Sequence, residues 1–440
     1  MQFKNDQDFA RGLDEQDPLR RYRSAFAFPI RNGQPVVYLA GNSLGLMPLK
    51  AQQYVTQELR SWAELGVDGH FHGRHPWYYY HHFGREALAR LVGARPDEVV
   101  AMGSLTANLH LLLVSFYRPT RERYKILMEN SAFPSDQHAI ASHVRCHGLD
   151  AQEAVVELRP RPGELTLHTE DIVEHIRRQG DALATILLGG VNYLTGQFFD
   201  LPTITREGHA AGATVGFDLA HAAGNVPLHL HDWDVDFACW CSYKYLNSGP
   251  GGVAGIFVHE RHGRNAGLPR FAGWWGHDEQ TRFRMEKSFI PQPGAAGWQL
   301  SNAPVLPMAA HRAALELFDE AGMQRLREKS ERLTAFLEFL VDEYNTAFPD
   351  QALELITPRQ AAQRGCQLSF RTGSYGRRLF EALGREGIVC DWRPLDGDPD
   401  AGVIRMAPVP LYNSFEDVWR AAAALQRVAA HQQADFGTTA

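Results

Sequence analysis

The chain has 440 residues, 44% of them hydrophobic and 22% charged, with a formal net charge of −7. That balance fits a soluble globular protein of two or three structural units and lacks the basic block that nucleic-acid binding requires. Cys146, Cys239, Cys241, Cys366 and Cys390 are odd in number and have no metal-ligand spacing, which argues against a disulfide framework or zinc ribbon and for a reducing compartment. The N-terminus is polar and of mixed charge, and no apolar run approaches the ~20 residues that span a bilayer. A cytoplasmic protein without membrane or nucleic-acid partners is expected.

Residues 1–35 read as a charged helical lead-in. Val36 to Ala40 predicts a short strand, followed by the glycine-bracketed turn Gly41-Asn42-Ser43-Leu44-Gly45. A helix is expected from near Pro48, with Val55, Leu59, Trp62 and Leu65 recurring at helical spacing. Residues 69–83, GHFHGRHPWYYYHHF, hold His70, His72, His75, His81 and His82. Pro76 interrupts that run and no carboxylate stands within it, so it does not match a metal-ligand helix. A loop beside a polar substrate pocket fits better, and no metal is expected.

From residue 84 helix and strand alternate. Helix 85–92 precedes a strand at 98–102, and Gly103-Ser104-Leu105-Thr106 opens a helix running to Phe116. Small and hydroxyl residues at such a turn offer backbone N–H groups and a helix dipole to a phosphate, or a plain N-cap. Tyr124 to Met128 is the next strand, ending in Ala132-Phe133-Pro134-Ser135-Asp136. After the strand 184–188 comes GGVNYLTGQ, which lacks the G-x-G-x-x-G of a dinucleotide site. Thr214 to Phe217 is a buried strand closing on Asp218, with His221 three residues on; the aspartate reads as functional or as a helix N-cap. The apolar run around Phe237 and Ala238 leads to Lys244, flanked by Tyr243 and Tyr245, and a Gly/Ser/Pro-rich turn returns the chain to the apolar segment 253–258. A lysine closing a buried strand either extends to solvent or has its charge paired or shed, and only a neutral amine attacks a carbonyl. The strand–helix order implies a mostly parallel sheet with ligands at the carboxyl ends of its strands. Ser104 to Thr106, Phe133 to Asp136, Asp218 and Lys244 all occupy such ends.

Beyond Pro307 one long helix is expected over 308–344, then a second unit with strands at 353–356, 366–371 and 402–406, a helix over 377–383, a terminal helix over 414–430 and a frayed tail. The domain expectation is an N-terminal segment 1–60 packing with the small domain, a large domain 61–305 and a small α+β domain 306–440.

A strand-end aspartate 26 residues before a strand-end lysine points to pyridoxal 5′-phosphate: the lysine for the Schiff base, the aspartate to keep the pyridine nitrogen protonated. Phe133 suits the ring face and Ser104-Leu105-Thr106 the phosphate.

Eight stretches carry a more specific likeness: GNSLG at 41–45, SLTANLHLL at 104–112, AFPSD at 132–136, FDLAHAAGN at 217–225, SYKYLNSGPGG at 242–252, GWWGH at 273–277, SNAPVL at 301–306 and RMAPVPLYNS at 405–414. With these, nearly the whole chain resembles the kynureninases, enzymes of the α/β fold-type I pyridoxal-phosphate class. That class has a large domain with a mostly parallel seven-stranded sheet and a smaller α+β domain. The resemblance implies Lys244 as Schiff-base lysine and proton shuttle, Asp218 at the pyridine nitrogen, and Phe133 over the ring. It implies cofactor contacts from Leu105, Thr106, Ser135, Asp136, His221, Tyr243, Trp274 and Asn302. Arg405 would grip the substrate α-carboxylate, with Asn42, Ser43, His70, Ser301 and Asn302 as further substrate contacts. Tyr243 or Lys244 would serve as acid or base at the γ-carbonyl.

The implied reaction is hydrolytic cleavage of L-kynurenine to anthranilate and L-alanine, or of 3-hydroxy-L-kynurenine to 3-hydroxyanthranilate, in a homodimer whose subunits share active sites. His70, Ser301 and Asn302 resemble the branch that prefers the hydroxylated substrate. Two alternatives stand beside this reading. One is another enzyme of the class, a cysteine desulfurase or aminotransferase; a desulfurase needs a mobile-loop cysteine, whereas Cys366 and Cys390 fall in or beside predicted strands. The other is a non-catalytic protein holding metal through the histidine loop.

Overall fold

The computed structural model describes residues 2–130, 132–395 and 397–437, with side chains up to His431. The described residues form two compact units, one from Met1–Leu49, Leu194–Gln197 and Ala321–Ala440, the other from Lys50–Tyr193 and Phe198–Glu320.

The larger unit is built on a seven-stranded sheet. Its strands are β1 (Val99–Ala101), β2 (Lys125–Glu129), β3 (Val155–Leu158), β4 (Leu183–Gly189), β5 (Thr214–Asp218), β6 (Phe237–Trp240) and β7 (Gly255–Val258). They lie in the order β1-β7-β6-β5-β4-β2-β3. The run from β3 to β6 is parallel, and β7 alone is antiparallel to both its neighbours. Every residue of β1, β6 and β7 is buried, as expected of strands covered on both faces, which read as apolar runs without alternation. Parallel strands place their carboxyl ends along one edge: Asp218 pairs in register with Gly189 on one side and Cys239 on the other. Side chains from neighbouring strand ends therefore converge.

Gly216, in mid-β5, is set by packing. A Cβ there would lie 2.1 Å from the ring of Phe237, itself stacked 4.7 Å from Phe116. Gly216→Ala is expected to cost about 1–3 kcal/mol through overpacking, seen as a lowered thermal midpoint with the activity per folded molecule retained.

The smaller unit holds a four-stranded antiparallel sheet of β8 (Glu354–Leu355), β9 (Leu368–Thr372), β10 (Asp391–Leu395) and β11 (Asp398–Met406), ordered β8-β9-β11-β10. Leu337, Leu340, Phe370, Ile404, Phe415 and Val418 are among its core residues. The N-terminal segment belongs here. Asp14 accepts the Phe415 and Glu416 backbone N–H groups at 2.7 and 2.9 Å and so caps the terminal helix Phe415–Gly437.

Several sequence expectations need revision. The helix expected over 308–344 is two, Val305–Ala321 and Met323–Ala347, broken where Gly322 takes φ +77°, a conformation only glycine adopts without strain. Strand β10 has no apolar alternation to announce it, since Arg393 and Pro394 sit in its middle. The terminal helix runs on through the segment expected to fray, and residues 438–440 lie outside the described residues. The units divide at 49/50 and 320/321, where the sequence suggested 60/61 and 305/306. The reason is lateral: Tyr54 and Lys50, on the helix Leu49–Leu65, reach Glu316 at 2.7 and 3.3 Å, and Arg312 lies 4.4 Å over the Tyr54 ring. These contacts join that helix to Val305–Ala321.

Candidate active site

At the carboxyl ends of β2, β4 and β5 the large unit encloses a cavity of about 270 Å3. Ten of the residues singled out in the sequence line it: Ser104, Leu105, Thr106, Phe133, Ser135, Asp136, Asp218, His221, Tyr243 and Lys244. Each arrives for a local reason. The helix Leu105–Phe116 begins after Ser104, whose hydroxyl makes no capping bond, and Ser104, Leu105 and Thr106 at that N-terminus line the cavity. Pro134 starts the helix Pro134–Cys146, which fixes Phe133 at its cap and brings Asp136 inward. Lys244 follows β6 on a turn closed by Asn247 N–H to Lys244 O at 3.1 Å and Ser248 N–H to Ser242 O at 3.0 Å.

Lys244 Nζ stands 2.9 Å from His221 Nε2 and 5.6 Å from the centre of the Phe133 ring. Tyr193 meets that ring edge-on, with centroids 5.3 Å apart. Asp218 is buried, and its Oδ1 accepts the Ala220 N–H at 2.8 Å, a local turn with no helix following. Burial raises the Asp218 carboxyl, opposed by the Ala220 N–H and the Lys244 charge. Burial and the Asp218 charge push Asp136 well above the usual carboxylate range. The two carboxyls share a hydrogen bond that pushes Asp136 up and Asp218 down. Burial likewise raises the Tyr243 phenol, which stays protonated.

The remaining candidates lie elsewhere. His70 packs edge-on against Trp77 at 5.5 Å. Trp274 is 45% exposed and donates to Arg282 O at 3.2 Å; Ser301 and Asn302 are exposed. None of these four lines the cavity of its own chain. In the small unit Asn42 is buried and donates to Gln367 Oε1 at 3.0 Å, while Ser43 is exposed. Arg405, in β11, is buried and paired with Asp391, its register partner on β10.

Among the five other lining residues, Glu129 and Tyr193 carry polar side chains that were not singled out in the sequence. Glu129 had the same signal as Asp218, an acid ending a buried strand. The histidine loop gains a carboxylate from afar: Glu279 lies 3.6 Å from His82 Nε2, with His81 in the same cluster. Burial, with Arg85 and Arg282 nearby, holds His81 down to about 2 and His82 to about 4. The same guanidinium charges oppose a bound cation. Cys366 and Cys390 are buried and burial pushes Cys390 up to about 12, leaving that thiol no thiolate character for sulfur transfer.

The family model described as the kynureninase C-terminal domain matches residues 326–425. Among solved structures, the Escherichia coli cysteine desulfurase CsdA superposes with a TM-score of 0.74 at 18% identity, over 94% of this chain and 98% of that one; this is a likeness of fold. A kynureninase of Koribacter versatilis is 54% identical over 95% of this chain and 96% of its own length. With a Myxococcus xanthus kynureninase 59% identical over the same shares of both chains, this chain belongs to the kynureninase family.

Proposed function

We propose that this enzyme binds pyridoxal 5′-phosphate at Lys244 and hydrolyses the Cβ–Cγ bond of L-kynurenine and 3-hydroxy-L-kynurenine, releasing anthranilate or 3-hydroxyanthranilate and L-alanine. One observation carries this reading: the amine of Lys244 and the charged carboxyl of Asp218 face a single cavity floored by an uncapped helix N-terminus. The residues fit the cofactor. Ser104, Leu105 and Thr106 suit its phosphate, Phe133 its ring face, Asp218 its ring nitrogen and Lys244 its aldehyde carbon. When bound, it supplies the electron sink for carbon acids α and β to the substrate carboxylate.

The chain's own groups supply the proton traffic. Lys244 Nζ would be the base for the α-proton of the bound substrate. His221, 2.9 Å away, orients that amine. Asp218 holds the ring-nitrogen proton, and Asp136 keeps Asp218 oriented. Tyr243, protonated through its burial, is the acid for the γ-carbonyl oxygen as water adds. For the substrate we assign Arg405, whose guanidinium suits an α-carboxylate by bidentate geometry, with Asn42 and Ser43 as further contacts.

The working unit is a homodimer. Trp62, Val67, Phe71, Phe283 and Met285 are each more than half exposed, an uncovered apolar surface of the kind subunit contacts cover. Trp274 and Asn302 stand outside their own cavity and serve the partner's. Sedimentation is expected to show a dimer, and a Trp62→Asp variant a weakened one with lower cofactor affinity. His70, Ser301 and Asn302 favour the aryl hydroxyl. His70→Phe is expected to lower the preference for 3-hydroxykynurenine about tenfold in kcat/KM, and an unchanged ratio removes His70 from that role.

The test of the whole reading is the visible spectrum of the protein, with anthranilate fluorescence after adding L-kynurenine. A yellow protein releasing anthranilate and alanine supports it. A yellow protein leaving both substrates intact overturns the substrate, and one that added pyridoxal phosphate cannot colour overturns the cofactor.

A further inference from the structure

The cavity holds a third carboxyl. Glu129 ends β2 beside Gly189, whose register partner is Asp218, and Glu129 lines the cavity at 4% exposure. Its Oε2 accepts Asn192 Nδ2 at 2.8 Å and its Oε1 the Gly189 N–H at a long 3.4 Å. A Cβ on Gly189 would stand 2.9 Å from that Oε1, so the glycine keeps its place open.

The other charged and titratable groups lining the cavity with Glu129 are Asp218 from β5, Asp136 from its helix, Lys244, His221, Tyr193 and Tyr243. Its two hydrogen-bond donors are neutral. Asp218, in contrast, has a close backbone N–H, the field of Lys244 and the hydrogen bond it shares with Asp136. Neighbouring buried carboxyls do not all ionise against one cation, because each new charge adds repulsion and desolvation. The carboxyl with the weakest support keeps its proton, and the long contact leaves Oε1 to carry it.

We propose that Glu129 is a positioning residue of the cofactor pocket, held as an un-ionised acid so that Asp218 is the one charged carboxyl presented to the pyridine nitrogen. This rests on the cavity being the pyridoxal-phosphate site. Burial supports it by raising Glu129 to about 7. Bound cofactor brings a phosphate dianion, which holds the proton more firmly on Glu129. Cofactor binding therefore favours protonated Glu129: affinity is full at pH below the free-enzyme value and falls as pH rises from there toward the higher value of the bound form.

The decisive measurement is difference infrared spectroscopy of the holoenzyme at neutral pH, comparing the natural protein with Glu129→Gln. A carbonyl band of an un-ionised carboxylic acid, lost in the variant and kept when Asp136 is replaced by Asn, is expected. Titration with pyridoxal phosphate provides a second readout. Glutamine imitates the protonated acid, so the variant should match the natural affinity near pH 6 and bind roughly tenfold more tightly than the natural protein near pH 9. Absence of a band that Glu129→Gln removes overturns the proposal, as does a variant that binds tenfold more weakly at both pH values. A natural protein that takes up no pyridoxal phosphate fails the cofactor reading itself, which the titration shows separately.

Discussion

Lys244→Ala is expected to lower kcat for kynurenine by about 10⁴-fold or more, since it removes both the covalent anchor and the base for the α-proton. The structure makes the loss specific. Nζ sits 2.9 Å from His221 Nε2 and over the Phe133 ring. The turn bearing Lys244 is closed by backbone bonds, Asn247 N–H to Lys244 O and Ser248 N–H to Ser242 O. Truncating the side chain therefore leaves the fold and the cavity walls in place. The visible band of the lysine-bound cofactor should vanish while the thermal midpoint changes little, and small primary amines added to the variant should restore part of the rate. A variant that keeps more than a hundredth of the activity would show that another group takes the proton.

Asp218→Asn is expected to reduce kcat by about 10²–10³-fold, the effect of removing one pre-organised charge from a water-poor site. The backbone contact at Oδ1 from Ala220 N–H can be kept by the amide oxygen, so geometry survives and the loss is electrostatic. Asp136 loses its charged hydrogen-bond partner at the same time, and the pressure that raises its carboxyl falls. Cofactor affinity and its pH dependence should both shift, whereas Asp136→Asn should cost less because a neutral donor replaces a protonated acid. Pre-steady-state absorbance separates the two: slow α-proton removal with intact binding is the outcome expected for Asp218→Asn. An Asp218→Asn enzyme with unimpaired proton removal would mean that the ring nitrogen does not rely on this carboxylate.

The strands lining the cavity were legible because a covered parallel sheet forces nearly unbroken apolar segments, and each segment ends where a polar residue first appears. That rule located Asp218, the Ser104 turn and the Phe133–Asp136 loop. Applied evenly, it would also have located Glu129, which ends β2 as Asp218 ends β5. The helix break at Gly322 was less visible, since apolar and charged residues continue across it and only the positive φ stops the helix. Strand β10 was hidden because it is an edge strand paired only with β11, and the successive Arg393 and Pro394 at its centre leave no apolar alternation to mark it.

By itself the sequence determined the strand–helix alternation of the larger unit, the lysine and aspartate that line its cavity, and the family, because these depend on local periodicity and short motifs. The tertiary structure alone decided which side chains share the cavity and how deeply its three carboxyls are buried. It decided that Asp391 is the partner of Arg405, and that Trp62 and Phe71 are left exposed. Those outcomes depend on burial and on distances between segments far apart in the chain. A buried carboxyl's charge is set by the sum of its neighbours, which no single stretch of sequence contains.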